Sequence, residues 1–282
     1  MTQRLDPQPI PGAPFGVMLG FDPTKPLDAQ AQQQLKRLFY EKHLLLIRGG
    51  LMETADQIRI ARYIAPVLMD ERKRYVSNSR PDGILGEREL AWHADIIFAP
   101  DPFIGLGLYA LEIPQSGAST CFASAASAAR TLPAPLRERV QGRKAVSVYR
   151  FELDTRGPWH SHDVLWTQPE TGEQCLFVDP YHTARVEGLP QEESRALLSD
   201  LFAHFYRPQN VYEHAWRLGD LVIWNNHAVQ HSRGPALRSQ VGNRTLRRVE
   251  IGLKSIEEQF PGYIAEYNPP TDSQAKPKEM SQ

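Results

Sequence analysis

Cysteine is nearly absent from this chain. Cys121 and Cys175 are the only two in 282 residues, so no disulfide framework is available, and a reducing cytoplasm is the expected setting. Excess charge of either sign is also lacking. The 32 basic and 33 acidic residues leave a formal net charge of −1, whereas nucleic-acid and membrane-surface binding favour a clear basic excess. No apolar run approaches the roughly 18 residues of a membrane span. The opening MTQRLDPQPIPGAPFG has no apolar core of a signal peptide. Internal repeats and low-complexity segments are missing as well. What is present is ordinary: 41% hydrophobic and 23% charged residues, on a chain long enough to bury a sizeable core. These observations point to a soluble cytoplasmic globular protein with neither nucleic acid nor a membrane as partner.

The first 26 residues are rich in Pro and Gly and read as an irregular arm. Leu27, Ala31, Leu35, Leu38 and Phe39 recur at helical spacing. The apolar run Leu44 to Ile47 follows and stops at Arg48-Gly49-Gly50, which predicts a buried strand. Thr54 to Ala65 predicts a second amphipathic helix with Thr54 as N-cap. Residues 70–91 are polar and read as a loop. Strand-like runs then dominate, at 103–111, 145–151, 174–178, 211–216, 221–224 and 247–253, with helices at about 124–140 and 190–206. VYEHAWRLGDLVIW reads as two strands joined by a tight turn at Gly219-Asp220. Strands that do not alternate regularly with helices argue against a doubly wound sheet. The fold expected is mostly β with flanking helices, a double-stranded β-helix or jelly roll. It occupies a single domain over 27–262, and the polar tail 263–282 is expected to be disordered.

Trp92-His93-Ala94-Asp95 carries the first chemical signal. On an extended segment residues i and i+2 point the same way, so His93 and Asp95 can both face one ion. With one distant histidine they make a two-histidine, one-carboxylate set, which leaves coordination positions open and suits iron(II) oxygenases. Spacing alone leaves the distant ligand open between His227, His231 and the pair His160 and His162. The last two, in a segment flanked by Pro and Gly, read as a solvated loop.

Several motifs in order resemble the taurine / 2,4-dichlorophenoxyacetate dioxygenase family over about residues 27–253. They are Trp92 to Asp95, then Ser116-Gly117-Ala118-Ser119-Thr120, then Thr167-Gln168-Pro169-Glu170-Thr171-Gly172. Last come Gly219-Asp220, Trp224, Asn226 and His231, followed by Arg244 and Arg248. The resemblance implies that His93, Asp95 and His231 are the catalytic metal ligands for Fe(II), with 2-oxoglutarate as co-substrate and O2 as oxidant. It implies that Thr120 and Arg244 hold the remote carboxylate of 2-oxoglutarate, a role for which a guanidinium has a planar bidentate fit. Arg248 and His182 match positions that face substrate, and Arg247 must face away from Arg248 on the same strand. The implied reaction is hydroxylation of a small, anionic organic substrate, with succinate and carbon dioxide as co-products. A tailoring hydroxylase of an amino-acid-like natural product and a non-catalytic small-ligand-binding relative are the alternatives. The resemblance also implies a homo-oligomer, dimer or tetramer.

The sequence departs from the family pattern at Asn225 (a carboxylate in relatives), His227, Trp166, Gln168 and Glu89. None of these belongs to the triad or to the 2-oxoglutarate clamp.

Overall fold

The computed structural model describes residues 3–68, 74–86, 89–116, 119–149, 158–233 and 242–261; the expected disordered tail lies outside them. The first helix, Ala29–Lys42, begins where the Asp28 side chain accepts the Ala31 N–H at 2.8 Å, satisfying one of the amide donors that a helix start leaves without a partner. It ends at His43, whose backbone is left-handed (φ 65°) and whose N–H returns to the Phe39 carbonyl. The helix buries Ala31, Leu35, Leu38 and Phe39 against Leu45 and Ile47 of the next strand, Leu44–Ile47. Every residue of that strand is buried. Leu44 and Leu46 face the inner core, whereas Leu45 and Ile47 face the helices. A run with both faces covered has no polar alternation to show.

Leu44–Ile47 pairs with Leu221–Asn225, which pairs with Gly105–Glu112, and that strand pairs with Thr245–Ile251. Together they form the centre of a nine-stranded sheet. A four-stranded sheet runs Val211–Ala215, Ser119–Ser124, Val229–Arg233, Leu90–His93. One core joins the two sheets: Leu106, Leu108, Val222, Trp224 and Leu246 of the larger pack in one cluster with Phe122, Tyr212 and Val229 of the smaller. The helices Ala125–Arg130, Ala134–Val140 and Gln191–Phe205 cover a separate apolar cluster with Cys175 and Leu176. The architecture is mostly β with few helices. Among the described residues no helix is long and apolar enough to cross a membrane.

Four local expectations need correction. The first 26 residues are not all irregular, because Gln8–Pro9 and Val17–Leu19 form strands, and the second lies parallel to Leu44–Ile47. Its three apolar residues sit between Gly16 and Gly20 and are too few to show a period. The segment 70–91 is no simple loop either. Within its described residues Tyr75–Ser77 and Gly83–Leu85 extend the large sheet, and Leu90–His93 edges the small one. Runs of three or four residues are too short to show a hydrophobic period. The second helix, Thr54–Arg62, is capped by Glu53 rather than Thr54, with the Glu53 N–H donating to Asp56 Oδ2 at 3.1 Å. Finally, Val211–Ala215 and Leu221–Asn225 are strands as expected, but they do not pair. The turn at Gly219 (φ 81°) carries the chain from the small sheet to the large one. Asp220 secures this corner: it holds Arg48 through two hydrogen bonds, at 2.8 and 3.0 Å, and accepts the Arg217 N–H.

Candidate metal and co-substrate site

His93 is the last residue of the Leu90–His93 strand, and His231 lies directly across from it on Val229–Arg233. Pairing fixes their separation, so the rings lie 4.2 Å apart, centre to centre. Asp95 comes just after the strand and brings Oδ1 to 3.2 Å from His93 Nε2 and 3.9 Å from His231 Nε2. One ligand atom from each of the three residues lies within 4.8 Å of the others, which is the donor set of a two-histidine, one-carboxylate metal centre. His160 and His162 stand elsewhere, on a strand Trp159–Asp163 where a loop was expected, and His162 Nε2 bonds the Ala99 carbonyl at 2.8 Å. His227 stacks on Trp166, 4.4 Å between ring centres, and does not join the triad.

The triad is braced from behind. His93 Nδ1 donates to the Ala91 carbonyl at 2.8 Å, which leaves Nε2 with its lone pair facing the other ligands. Asn226 takes the Asp95 N–H at 2.9 Å and returns its own amide N–H to the Asp95 carbonyl at 2.9 Å. The Ala94 N–H donates to buried Asp179 at 3.2 Å, and Asp179 also faces His182 Nδ1 at 3.1 Å. Ile96 turns the chain away with a left-handed backbone (φ 49°). Burial and repulsion from His93 push the His231 imidazole down to about 3, so it is neutral and able to bind a cation. Burial pushes the Asp95 carboxyl up, yet the Arg248 guanidinium holds it well below the usual carboxylate range.

Arg248 and Arg247 face opposite sides of their strand, as expected. Arg247 bonds Gln57, Thr54 and the Met52 carbonyl on the helix side. Arg248 faces the cavity, with Nη2 at 2.6 Å from Asp95 Oδ2 and Nη1 on Glu250. One carboxylate oxygen of Asp95 therefore points to the imidazoles and the other to the guanidinium. Further into the same cavity lie Thr120 and Arg244, 3% and 2% exposed. Arg244 Nη2 donates to Thr120 Oγ1 at 3.2 Å, while its Nε has no partner. Burial and the neighbouring Arg233 charge push the Arg244 guanidinium down to about 9. A buried cation with an idle N–H fits an anion arriving in the cavity. Ile96, Phe98, Leu106, Tyr149, Tyr181 and His182 supply much of the remaining wall.

Two of the residues that depart from the family pattern contact two others. Asn225 donates to Gln168 Oε1 at 2.6 Å, and Trp166 stacks on His227. Both pairs border a second cavity beyond the triad. Sequence reasoning missed Trp216, Arg233, Asp179 and Glu250. Arg233, two residues after His231 on the same strand face, had the one usable signal; it holds the Leu85 and Gly86 carbonyls over the cavity.

A mostly β fold with two imidazoles and one carboxylate lining such a cavity is the arrangement of a non-haem iron oxygenase. The chain belongs to the taurine catabolism dioxygenase TauD, TfdA family, whose sequence profile matches residues 5–249. It is accordingly an iron(II)- and 2-oxoglutarate-dependent dioxygenase, with O2 as the other co-substrate. Among curated relatives, the alpha-ketoglutarate-dependent 2,4-dichlorophenoxyacetate dioxygenase of Cupriavidus pinatubonensis is 29% identical, over 74% of this chain and 85% of that one. The alpha-ketoglutarate-dependent sulfate ester dioxygenase of Pseudomonas putida is 25% identical, over 81% and 83%. Among solved structures, a taurine dioxygenase from Burkholderia xenovorans superposes with TM-score 0.76 at 24% identity, over 89% and 91% of the two chains, which shows the shared fold.

Proposed function

We propose that His93, Asp95 and His231 hold the iron, that Thr120 and Arg244 hold the distal carboxylate of 2-oxoglutarate, and that the enzyme hydroxylates a C–H bond of a small organic substrate. The two packed sheets support reading the domain as a double-stranded β-helix, a jelly roll. The observation that carries the proposal is Arg244, a buried guanidinium with an unpartnered Nε in the cavity that the triad lines. An enzyme using a metal without 2-oxoglutarate has no use for that cation. Iron(II) with 2-oxoglutarate and O2 supplies oxidative decarboxylation, giving succinate and carbon dioxide together with an oxidised substrate. The residues do the rest. The triad would hold the ion through three donors and leave coordination positions open for other ligands. Arg248 fixes the free oxygen of Asp95, so that Oδ1 remains turned to the imidazoles. The apolar wall excludes water and orients the substrate beside the ion.

Arg248 and His182 line the same cavity as the triad, which supports reading them as substrate-facing. Arg248 already meets two carboxylates, Asp95 and Glu250, so an anionic head group would have to share it. Recognition in this reading rests chiefly on the apolar wall, and a small carboxylate or sulfonate is a weaker expectation than the sequence alone suggests. The engagement of Arg248 favours a further reading, hydroxylation of a less charged compound, over the anionic substrate.

Anaerobic protein loaded with iron(II) should develop a weak visible charge-transfer band on addition of 2-oxoglutarate. The band should be absent in His231→Ala and should need far more co-substrate in Arg244→Ala. No band at saturating 2-oxoglutarate, in protein shown to hold iron, would sink the reading. Succinate release across carboxylates, sulfonates and neutral apolar compounds would then separate the two substrate classes.

A further inference from the structure

Thr120 Oγ1 receives two hydrogen bonds. One comes from Arg244 Nη2 at 3.2 Å, the other from the indole Nε1 of Trp216 at 2.9 Å. Guanidinium and indole N–H groups can only donate. A threonine hydroxyl has two acceptor lone pairs and a single hydrogen. With both lone pairs taken, the hydrogen must point in the remaining direction. Thr120 is buried and lines the cavity beside Arg244, so the hydroxyl has little bulk water to turn to. We propose that Trp216 is a positioning residue for the co-substrate: its N–H sets the Thr120 hydroxyl so that O–H is offered to the distal carboxylate of 2-oxoglutarate. The inference rests on the clamp reading above and assigns to Trp216 a role that the motif does not contain.

The indole is itself held in place. Its ring stands edge-on to His214, 4.6 Å between centres at 90°. His214 Nε2 lies 3.2 Å from Asp220, and its Nδ1 is 2.9 Å from the Tyr212 hydroxyl. Asp220 is the residue that grips Arg48 through both oxygens. The corner that carries the chain between the sheets thus fixes Trp216, and Trp216 fixes the polarity of the clamp. Without the N–H, one Thr120 lone pair falls empty and the hydroxyl is free to rotate. An anion then loses part of a preset donor, whereas the chelating end of the co-substrate, at the triad, loses nothing.

The test compares 2-oxoglutarate with 2-oxobutyrate, which keeps the chelating end and has no distal carboxylate. Both are titrated anaerobically into the iron(II) protein and followed by the charge-transfer band. Trp216→Phe should weaken 2-oxoglutarate about three- to tenfold, the range of one hydrogen bond, and leave 2-oxobutyrate unchanged. In turnover KM for 2-oxoglutarate should rise while kcat at saturation holds. In a Thr120→Val background the Trp216 substitution should add nothing. Where Trp216→Phe is insoluble, benzothienylalanine at position 216 removes the N–H at nearly constant size. Equal weakening of both acids, no weakening of either, or full additivity with Thr120→Val would overturn the proposal. Wild-type protein that binds the two acids equally well would instead overturn the clamp reading beneath it, and the proposal with it.

Discussion

At the triad end of the cavity Asp95 has partners on both oxygens, His93 at 3.2 Å and Arg248 at 2.6 Å. At the clamp end Arg244 has the Thr120 hydroxyl, while its Nε is idle and its neighbour Arg233 repels it. The first end sets a guanidinium against its carboxylates and is preorganised. The second carries an uncompensated desolvation cost that an incoming carboxylate relieves. In the proposed reading the carboxylate-bearing end takes the metal and the cationic end takes the anion.

The largest effect expected from this contrast is at the balanced end. Arg248→Met strands a buried carboxylate, which should lower stability by about 3–5 kcal/mol, read from the urea midpoint. Iron affinity should fall about 10- to 100-fold. Arg244→Met should do the opposite to stability. Melting should stay level or rise, because a desolvated charge is gone, while 2-oxoglutarate binds about 100-fold more weakly for want of charge-assisted bonds. If both variants lost stability equally, the contrast between the ends would be wrong. Smaller again, Asn225→Ala leaves Gln168 Oε1 without its donor and should cost about 1–3 kcal/mol, with 2-oxoglutarate binding untouched.

The weakest effect lies outside the cavity. Burial pushes His162 down to about 4 from the 6.5 of an ordinary histidine, and burial with repulsion from His162 pushes His227 to about 3. Between those values and 6.5 the unfolded chain binds protons that the folded one refuses. Stability should therefore decline as pH falls below about 6.5, and should not respond to these groups above it. His162→Gln should flatten that decline in acid melts, and an unchanged slope would show that other groups govern it.

Much of this was legible in the sequence. Leu44–Ile47 and the first helix stand out because their apolar residues are long or periodic enough to show. The triad was legible because His93 and Asp95 are local, though the choice of His231 over His227 needed the family pattern. The rest was hidden for physical reasons. The strand Ser119–Ser124, which carries Thr120, has Phe122 as its one large apolar residue among small and polar ones, too little to show a hydrophobic period. Gly219-Asp220 looks like a hairpin turn because strand identity says nothing about which sheet each strand joins. The hold of Arg248 on Asp95, and of Trp216 on Thr120, spans distant segments and leaves no trace in local spacing.

His93 and His231 face each other across two paired strands, yet close to half the chain lies between them. Joining strands so far apart carries a loop-closure entropy that only the rest of the fold can offset. In the unfolded chain His93 and Asp95 remain neighbours, a two-ligand fragment with weak hold on any ion, and His231 is remote. On the proposed ligand set, tight iron binding would thus be a property of the finished sheet and of nothing earlier. An ion held by these three residues would shift the equilibrium toward the native state by mass action, so metal uptake would report that folding is complete.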